Sequence, residues 1–163
     1  MEDNVSQAKA EYIRAKEQLV RALATTPDSR INWSPSETSR TPIQLVAHAA
    51  SAVKSIHGML DGRPFAIEDT AEADRAFRNE ERQFRTREEV LGLLEQHSAA
   101  YVAFLDGLTP ERLAKTIKLP FGLGSAPLAV GLTFAADHTR GHTAQIDYIQ
   151  TIYADHDWHM PGA

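Results

Sequence analysis

The sequence of 163 residues contains no cysteine. Disulfide bonds, thiolate metal sites and a cysteine nucleophile are therefore excluded. The absence of cysteine also suits the cytosol, where disulfides are rare.

Long apolar runs are absent as well. No stretch approaches the roughly 18 apolar residues of a membrane-spanning helix. The N-terminus, Met1-Glu2-Asp3-Asn4, is acidic and lacks the apolar region of a signal peptide. We therefore expect a cytoplasmic protein with no membrane partner.

Basic residues are too few and too scattered to indicate a nucleic-acid partner. The net charge is −5, whereas binding of phosphates requires a basic face. Between residues 63 and 89, arginines alternate with carboxylates that include Asp74, Glu80 and Glu81. We interpret this segment as a solvated face of mixed charge.

What the chain does contain is a globular composition with helical periodicity. It is 42% hydrophobic and 24% charged, so we expect one domain over residues 1–163. Apolar residues recur with helical spacing in four segments, and sustained period-two alternation is missing. We predict an all-α four-helix bundle with little or no sheet. The predicted helices span about residues 5–24, 42–60, 86–108 and 127–153.

Two capping boxes mark the starts of the second and third predicted helices. They are Thr41 with Gln44 and Thr86 with Glu89. The link between these helices is long, and about residues 71–83 within it are predicted to form a short charged helix. Such a crossover can carry the chain back along the bundle, which would make the middle helices parallel in an up-down-down-up order.

Three of the seven histidines lie on predicted inner faces. His48 lies on the apolar stripe of helix two, while His138 and His142 are four residues apart on one face of helix four. A buried imidazole without a partner is costly, and one ion satisfies three lone pairs at once. This pattern favours a site for one divalent transition-metal ion. The alternative is ordinary core or surface histidines, because an H-x3-H pair alone is a weak signal.

The spacing of His138 and His142 also invites comparison with the H-E-x-x-H motif of metalloproteases. Thr139 occupies the position of the catalytic glutamate. The general base of that mechanism is therefore missing, and we reject a protease function.

Other polar residues could complete the site. His97 could contact a ligand, serve as a fourth ligand, or be a core histidine bonded to a carbonyl, and we favour the last. Arg140 and Gln145 could contact an anionic substrate or a bound water, although a solvated surface charge is favoured for Arg140. Trp33 either lines a pocket mouth or covers the end of the bundle. A frayed terminus is the favoured interpretation of the tail that contains His156 and His159.

These residues resemble the DinB-like (damage-inducible) metalloprotein family, to which bacillithiol- and mycothiol-dependent transferases are related. The resemblance covers nearly the whole chain and is strongest over residues 138–146, with further support from residues 41–48, Asn79 and residues 86–89. It implies a four-helix bundle with parallel middle helices, zinc or nickel as the ion, and frequent dimers. It also implies that the ligands are His48, His138 and His142.

Two classes of function follow from these expectations. The first is an enzyme whose metal activates a small-molecule thiol (an S-transferase) or water (a hydrolase). The second is a non-catalytic metal-binding or stress-response protein. Family members often carry Arg-Gly where this chain has Thr143-Ala144, so no particular substrate follows from the resemblance.

Overall fold

The computed structural model describes residues 2–160, and their side chains from residue 4 onward. Four long helices form the bundle, and shorter elements connect them. The helices are α1 (Glu2–Thr25), α2 (Pro42–Leu60), α3 (Thr70–Glu81), α4 (Arg87–Asp106), α5 (Pro110–Leu113) and α6 (Phe134–Ile152). The strands are β1 (Thr116–Lys118) and β2 (Ser125–Pro127), followed by a 3-10 helix at Leu128–Thr133.

Two clusters of buried apolar side chains fix the directions of the four long helices. One cluster joins the N-terminal parts of α1 and α6 to the C-terminal parts of α2 and α4, and includes Tyr12, Ala135, Met59 and Leu105. The other joins the opposite ends, and includes Leu23, Ile149, Leu45 and Val90. Helices α2 and α4 therefore run parallel to each other and antiparallel to α1 and α6. The predicted up-down-down-up bundle is confirmed.

Both predicted capping boxes are present. The hydroxyl of Thr41 accepts from the backbone N–H of Gln44 at 3.3 Å, and the Gln44 side chain accepts from the backbone N–H of Thr41 at 3.0 Å. Thr86 and Glu89 make the same pair of bonds at the start of α4. These boxes satisfy backbone donors that the first helical turn leaves unpaired.

The prediction that the fourth helix begins near Pro127 is wrong, because α6 begins at Phe134. The preceding 3-10 helix buries Leu128 and Gly131, which lie three residues apart. Three residues is one turn of a 3-10 helix, so this spacing directs both positions into the core. A Cβ atom at Gly131 would lie 2.4 Å from Leu60 Cδ2, which shows how closely the segment approaches α2.

Strands β1 and β2 form a short antiparallel hairpin in which Ile117 pairs with Ala126. Its tip, residues 119–124, contains three residues in the left-handed region, namely Phe121, Gly122 and Gly124. The small amount of sheet agrees with the prediction of a helical fold. Within residues 2–160, none of the helices combines the length and the apolar composition that a membrane span requires.

Candidate metal centre

Helices α2 and α6 bring three imidazoles together inside the bundle. One ring nitrogen from each of His48, His138 and His142 lies within 4.8 Å of the others. The Nε2 atoms of His138 and His142 are 3.0 Å apart. The ring centroid of His48 lies 4.7 Å from that of His142 and 5.3 Å from that of His138. The four-residue spacing on α6 produces the convergence that the sequence predicts.

The crossover helix α3 orients His48 through its last residue. Nδ1 of His48 lies 2.7 Å from Oε1 of Glu81. An ionised carboxylate only accepts hydrogen bonds, so Nδ1 carries the proton and donates it. In the neutral form of the ring, the Nε2 atom then carries the lone pair. Carboxylate partners of this kind fix the tautomer and raise the basicity of histidines that bind metals.

Glu81 is itself held by a buried ion pair. Its second oxygen, Oε2, accepts from Nε of Arg40 at 2.7 Å, and Arg40 also donates to Asp74 at 2.8 Å. Glu81 is 1% exposed. Burial alone would raise the pKa of Glu81, but hydrogen bonds from His48 and Arg40 and the charge of Arg40 bring that pKa below its ordinary value. The carboxylate is therefore ionised at neutral pH.

Gln145 orients His142 in a similar way from within α6. Its amide oxygen Oε1 lies 2.8 Å from Nδ1 of His142. Because an amide oxygen accepts, Nδ1 of His142 donates, and the lone pair of this ring is on Nε2, facing His138. Two of the three imidazoles thus have their tautomers set by a neighbouring side chain.

The two histidines of α6 are neutral at physiological pH. Burial, then the neighbouring rings of His142 and His48, lower the pKa of His138 to about 3. Burial and His48 lower the pKa of His142 to about 4. Neutral imidazoles offer the lone pairs that a metal ion needs, and a buried lone pair without a partner is unfavourable.

These observations fit a divalent transition-metal ion. The donors are imidazole nitrogens, which suit zinc and nickel among other ions. The lone pair on Nε2 of His142 faces Nε2 of His138 at 3.0 Å. An ion bound between the two rings would engage both nitrogens.

The remaining predicted site residues lie in different places. Nδ1 of His97 bonds to the backbone oxygen of Ala50 at 2.9 Å, and His97 is not part of the cluster of three. This contact agrees with the interpretation of a core histidine bonded to a carbonyl. Arg140 forms ion pairs with Glu11 of α1 and with Asp137, and 38% of its side chain is exposed. Both contacts fit the surface charge that we favoured for Arg140.

Trp33 and the tail histidines also lie away from the centre. Trp33 packs edge-on against Tyr153, with ring centroids 6.1 Å apart, and joins the apolar cluster at its end of the bundle. Its position matches the end cover, which was one of the two alternatives considered for it. In the tail, Nε2 of His159 contacts Asp155 at 3.0 Å, while His156 is exposed.

Glu81 was missed by the sequence interpretation. The expectation of a solvated charged face is wrong at this position, since Glu81 is buried and contacts a clustered histidine. A signal was present. Ala73, Phe77 and Glu81 are spaced by four, which places them on one face of α3, and Ala73 is buried like Glu81. The charged residues between these three positions make their shared face hard to recognise in the sequence.

Two cavities lie along α6 on either side of the cluster. The first, of about 450 Å³, touches His48 and His138 and has mostly apolar walls. The second, of about 480 Å³, lies toward the C-terminal part of α6 and includes Gln145, Arg40 and Arg78. Two of the three histidines therefore border the apolar cavity, while Gln145, which contacts His142, lines the more polar one.

Comparison with known proteins identifies the family. YfiT from Bacillus subtilis, described as a probable metal-dependent hydrolase with an unusual four-helix bundle topology, matches 91% of this chain and 87% of its own, with a TM-score of 0.72 and 17% identity. The DinB-like protein YjoA from Bacillus subtilis matches 93% of this chain and 94% of its own, with a TM-score of 0.64 and 18% identity. These likenesses show a shared fold. No curated protein matches significantly. The family model of the DinB superfamily matches residues 11–146, and the chain therefore belongs to that superfamily.

Proposed function

We propose that His48, His138 and His142 bind one divalent ion, zinc or nickel, and that the protein is a metal-dependent enzyme acting on a small molecule. The observation that carries this proposal is the convergence of three imidazole nitrogens within 4.8 Å. Support comes from Glu81 and Gln145, which hold two of the rings in the tautomer that ligation requires.

A reactive ion is favoured over a structural one by the number of ligands. Within residues 2–160, the three histidines form the one group of three or more histidine or acidic side chains close enough to share an ion. Three protein ligands leave a coordination position for water or substrate. The apolar clusters at both ends of the bundle also supply a core that does not depend on an ion. The alternative of a non-catalytic metal-binding or stress-response protein is therefore less well supported.

Hydrolysis is the reaction that the site supports best. When bound, the ion would supply Lewis-acid chemistry, polarising a substrate carbonyl and lowering the pKa of a nucleophile. The chain's own contribution is the first cavity, whose mostly apolar walls reach His48 and His138 and give up water when a substrate binds there. Asp137 lines the same cavity and places a carboxylate that can accept a hydrogen bond at its edge. The description of YfiT as a probable metal-dependent hydrolase adds support.

Transfer to a thiol is the second candidate, and the second cavity favours it. Arg40 and Arg78 line that cavity and could hold the carboxylates of a low-molecular-weight thiol. Both arginines already pair with Asp74, which lowers their capacity to bind an additional anion. We therefore rank this activity after hydrolysis. Dimer formation and a cytoplasmic location stay predictions.

The test begins with the metal content of protein purified without an affinity tag. Protein reloaded with Zn²⁺ or Ni²⁺ would then be assayed against esters and amides, and against thiols paired with electrophiles. We expect about one ion per chain and metal-dependent hydrolysis that His142→Ala abolishes. The exposed tail variant His156→Ala is the matched control and should retain both. Failure of the wild type to retain any transition metal would refute the proposal.

A further inference from the structure

An apolar cavity of about 450 Å³ adjoins two of the three clustered histidines. Helices α2 and α6 form two of its walls and include His48 and His138. The crossover and the tip of the hairpin complete it with Phe65, Phe77 and Phe121. Its volume lies within the range of roughly 300–1,000 Å³ that is typical of sites for small molecules.

Aromatic rings line this cavity from its mouth to the histidines. The rings of Phe121 and Phe65 meet edge to face, with centroids 5.6 Å apart. Phe65 stacks on Phe77 at 5.9 Å and an interplanar angle of 5°. Phe77 in turn meets the ring of His48 at 4.8 Å. A continuous aromatic wall of this kind favours a planar or branched apolar group, because it offers dispersion contacts and excludes water.

The charges around the cavity disfavour anions. Among the described residues that line it there is no lysine or arginine, and Asp137 is the one carboxylate. The Asp137 side chain is 63% exposed and lies 3.4 Å from Arg140. An anionic group among the aromatic rings, away from the histidines, would lose water without gaining a cationic side chain and would approach this carboxylate. This part of the cavity therefore selects against anionic groups.

We propose that this cavity is the substrate subsite of the metal centre and that it binds an uncharged aromatic or branched aliphatic group, with the reactive head of the substrate at the three histidines. The proposal rests on the proposed function, since it assigns a substrate class to the same site. The substrates would be neutral esters, amides or electrophiles that carry one apolar group of about the size of a benzene ring. Metabolites that carry an anionic group in place of this ring would be poor substrates.

The first experiment measures binding to protein freed of metal by a chelator. The uncharged dye N-phenyl-1-naphthylamine, which fluoresces in apolar surroundings, is bound and then displaced by three hydroxamic acids with the same head. We expect 4-methylbenzohydroxamic acid to displace the dye at concentrations at least about ten-fold lower than 4-carboxybenzohydroxamic acid. Acetohydroxamic acid, which has no ring, should be the weakest competitor. Equal displacement by all three, or no dye binding, overturns the proposal.

A pair of variants tests whether the dye binds in this cavity. Phe121 is 37% exposed and has a φ of 55°, a conformation that aspartate tolerates well, so Phe121→Asp should fold normally. We expect it to weaken dye binding about ten-fold, since it removes a ring and adds a charge at the mouth. Val130→Asp is the control, because Val130 is 53% exposed and does not line the cavity. Unchanged binding in Phe121→Asp overturns the assignment.

Sedimentation of the same variants tests a different occupant. If Phe121→Asp converts a dimer into a monomer while Val130→Asp does not, a second copy of the chain covers the cavity and the subsite is refuted. An unchanged oligomeric state in both variants supports a small-molecule occupant.

Loading the protein with Co²⁺ distinguishes an error in the proposed subsite from an error in the proposed metal centre. Visible spectra of the Co²⁺-loaded protein report acetohydroxamic acid binding at the ion independently of the cavity. Co²⁺ uptake without any preference for the ring overturns the subsite and leaves the metal centre intact. A preference for the ring without Co²⁺ uptake overturns the proposed function, and with it the substrate role of the cavity.

Discussion

Oε1 of Glu81 accepts a hydrogen bond from Nδ1 of His48 at 2.7 Å, across a sequence separation of 33 residues. The contact joins the crossover helix α3 to the second turn of α2 and sets the tautomer of one clustered histidine. It gives the crossover a second role beyond reversing the chain, because the last residue of α3 orients one histidine of the cluster.

Replacing Glu81 should therefore weaken metal binding. Glu81→Gln removes the carboxylate charge that orients His48 and neutralises Arg40, and we expect the affinity for Zn²⁺ to fall about 10- to 100-fold. Breaking the buried pair should also lower the free energy of unfolding by about 3–5 kcal/mol. Competition with a chelating dye and urea melts measure the two effects.

The adjacent position provides the control for this variant. Glu80 lies on the same helix and accepts from Ser51 Oγ at 3.0 Å, away from the histidines. Glu80→Gln makes the same chemical change and should leave the affinity for Zn²⁺ within about two-fold of wild type, as expected for a group that does not touch a ligand. Equal losses in both variants would contradict the role assigned to Glu81.

Removing a ligand should empty the centre without unfolding the bundle. His142→Ala takes away one of three nitrogens, so we expect stoichiometric metal to be lost while the helical circular dichroism spectrum stays unchanged. The free energy of unfolding should fall by about 1–3 kcal/mol. His138→Ala should behave alike, because both rings lie in one cluster. Unfolding of the variants, or of chelated wild type, would identify the ion as structural and contradict the enzyme proposal.

The parts of the fold that the sequence predicts are those that depend on local spacing. Capping boxes at Thr41 and Thr86 and the four-residue step from His138 to His142 act within one helix, and all three features appear in the structure. Periodicity depends on neighbours within a few residues, so it carries this information without knowledge of the packing.

Features that depend on contact between distant segments were not predictable in the same way. Glu81 contacts His48 because the crossover folds back over α2, and nothing near Glu81 in the sequence specifies that partner. The first cavity likewise forms where Phe65 of the crossover meets Phe121 of the hairpin. The 3-10 helix before α6 reflects the close approach of Gly131 to Leu60. Each is decided by tertiary packing, which overrides local propensity.

A pair of glycine substitutions tests that close approach. A Cβ at Gly131 would lie 2.4 Å from Leu60 Cδ2 in the core, so Gly131→Ala should destabilise the protein by about 1–3 kcal/mol. Gly92 lies within α4 with no atom within 4 Å of a Cβ built there, and Gly92→Ala should instead stabilise by about 0.5–1 kcal/mol. Thermal melts compare the two. Equal effects would contradict the tight packing at Gly131.

The stability of the metal-free protein should depend on pH through the histidines of α6. In the unfolded chain His138 and His142 titrate near 6.5, whereas in the folded protein their pKa values are about 3 and about 4. Above pH 6.5 both states are neutral at these residues and the pair contributes no pH dependence. As the pH falls from about 6.5 to about 4, the unfolded state binds more protons, so the free energy of unfolding must fall.

Urea melts of chelated protein between about pH 7.5 and pH 5 measure this effect without a contribution from Glu81, whose lowered pKa matters only below its unfolded value of 4.5. Burial also lowers the pKa of His57, so that ring adds a smaller loss of stability in the same range. The control is the double variant His138→Ala/His142→Ala, which lacks both titrating rings and should show a flatter profile over the same range. His156→Ala, which removes an exposed ring in the tail, should retain the wild-type slope. An equal slope in the double variant and the wild type would show that other groups cause the loss, and it would contradict burial of the two imidazoles in their neutral form, the form in which they could bind an ion.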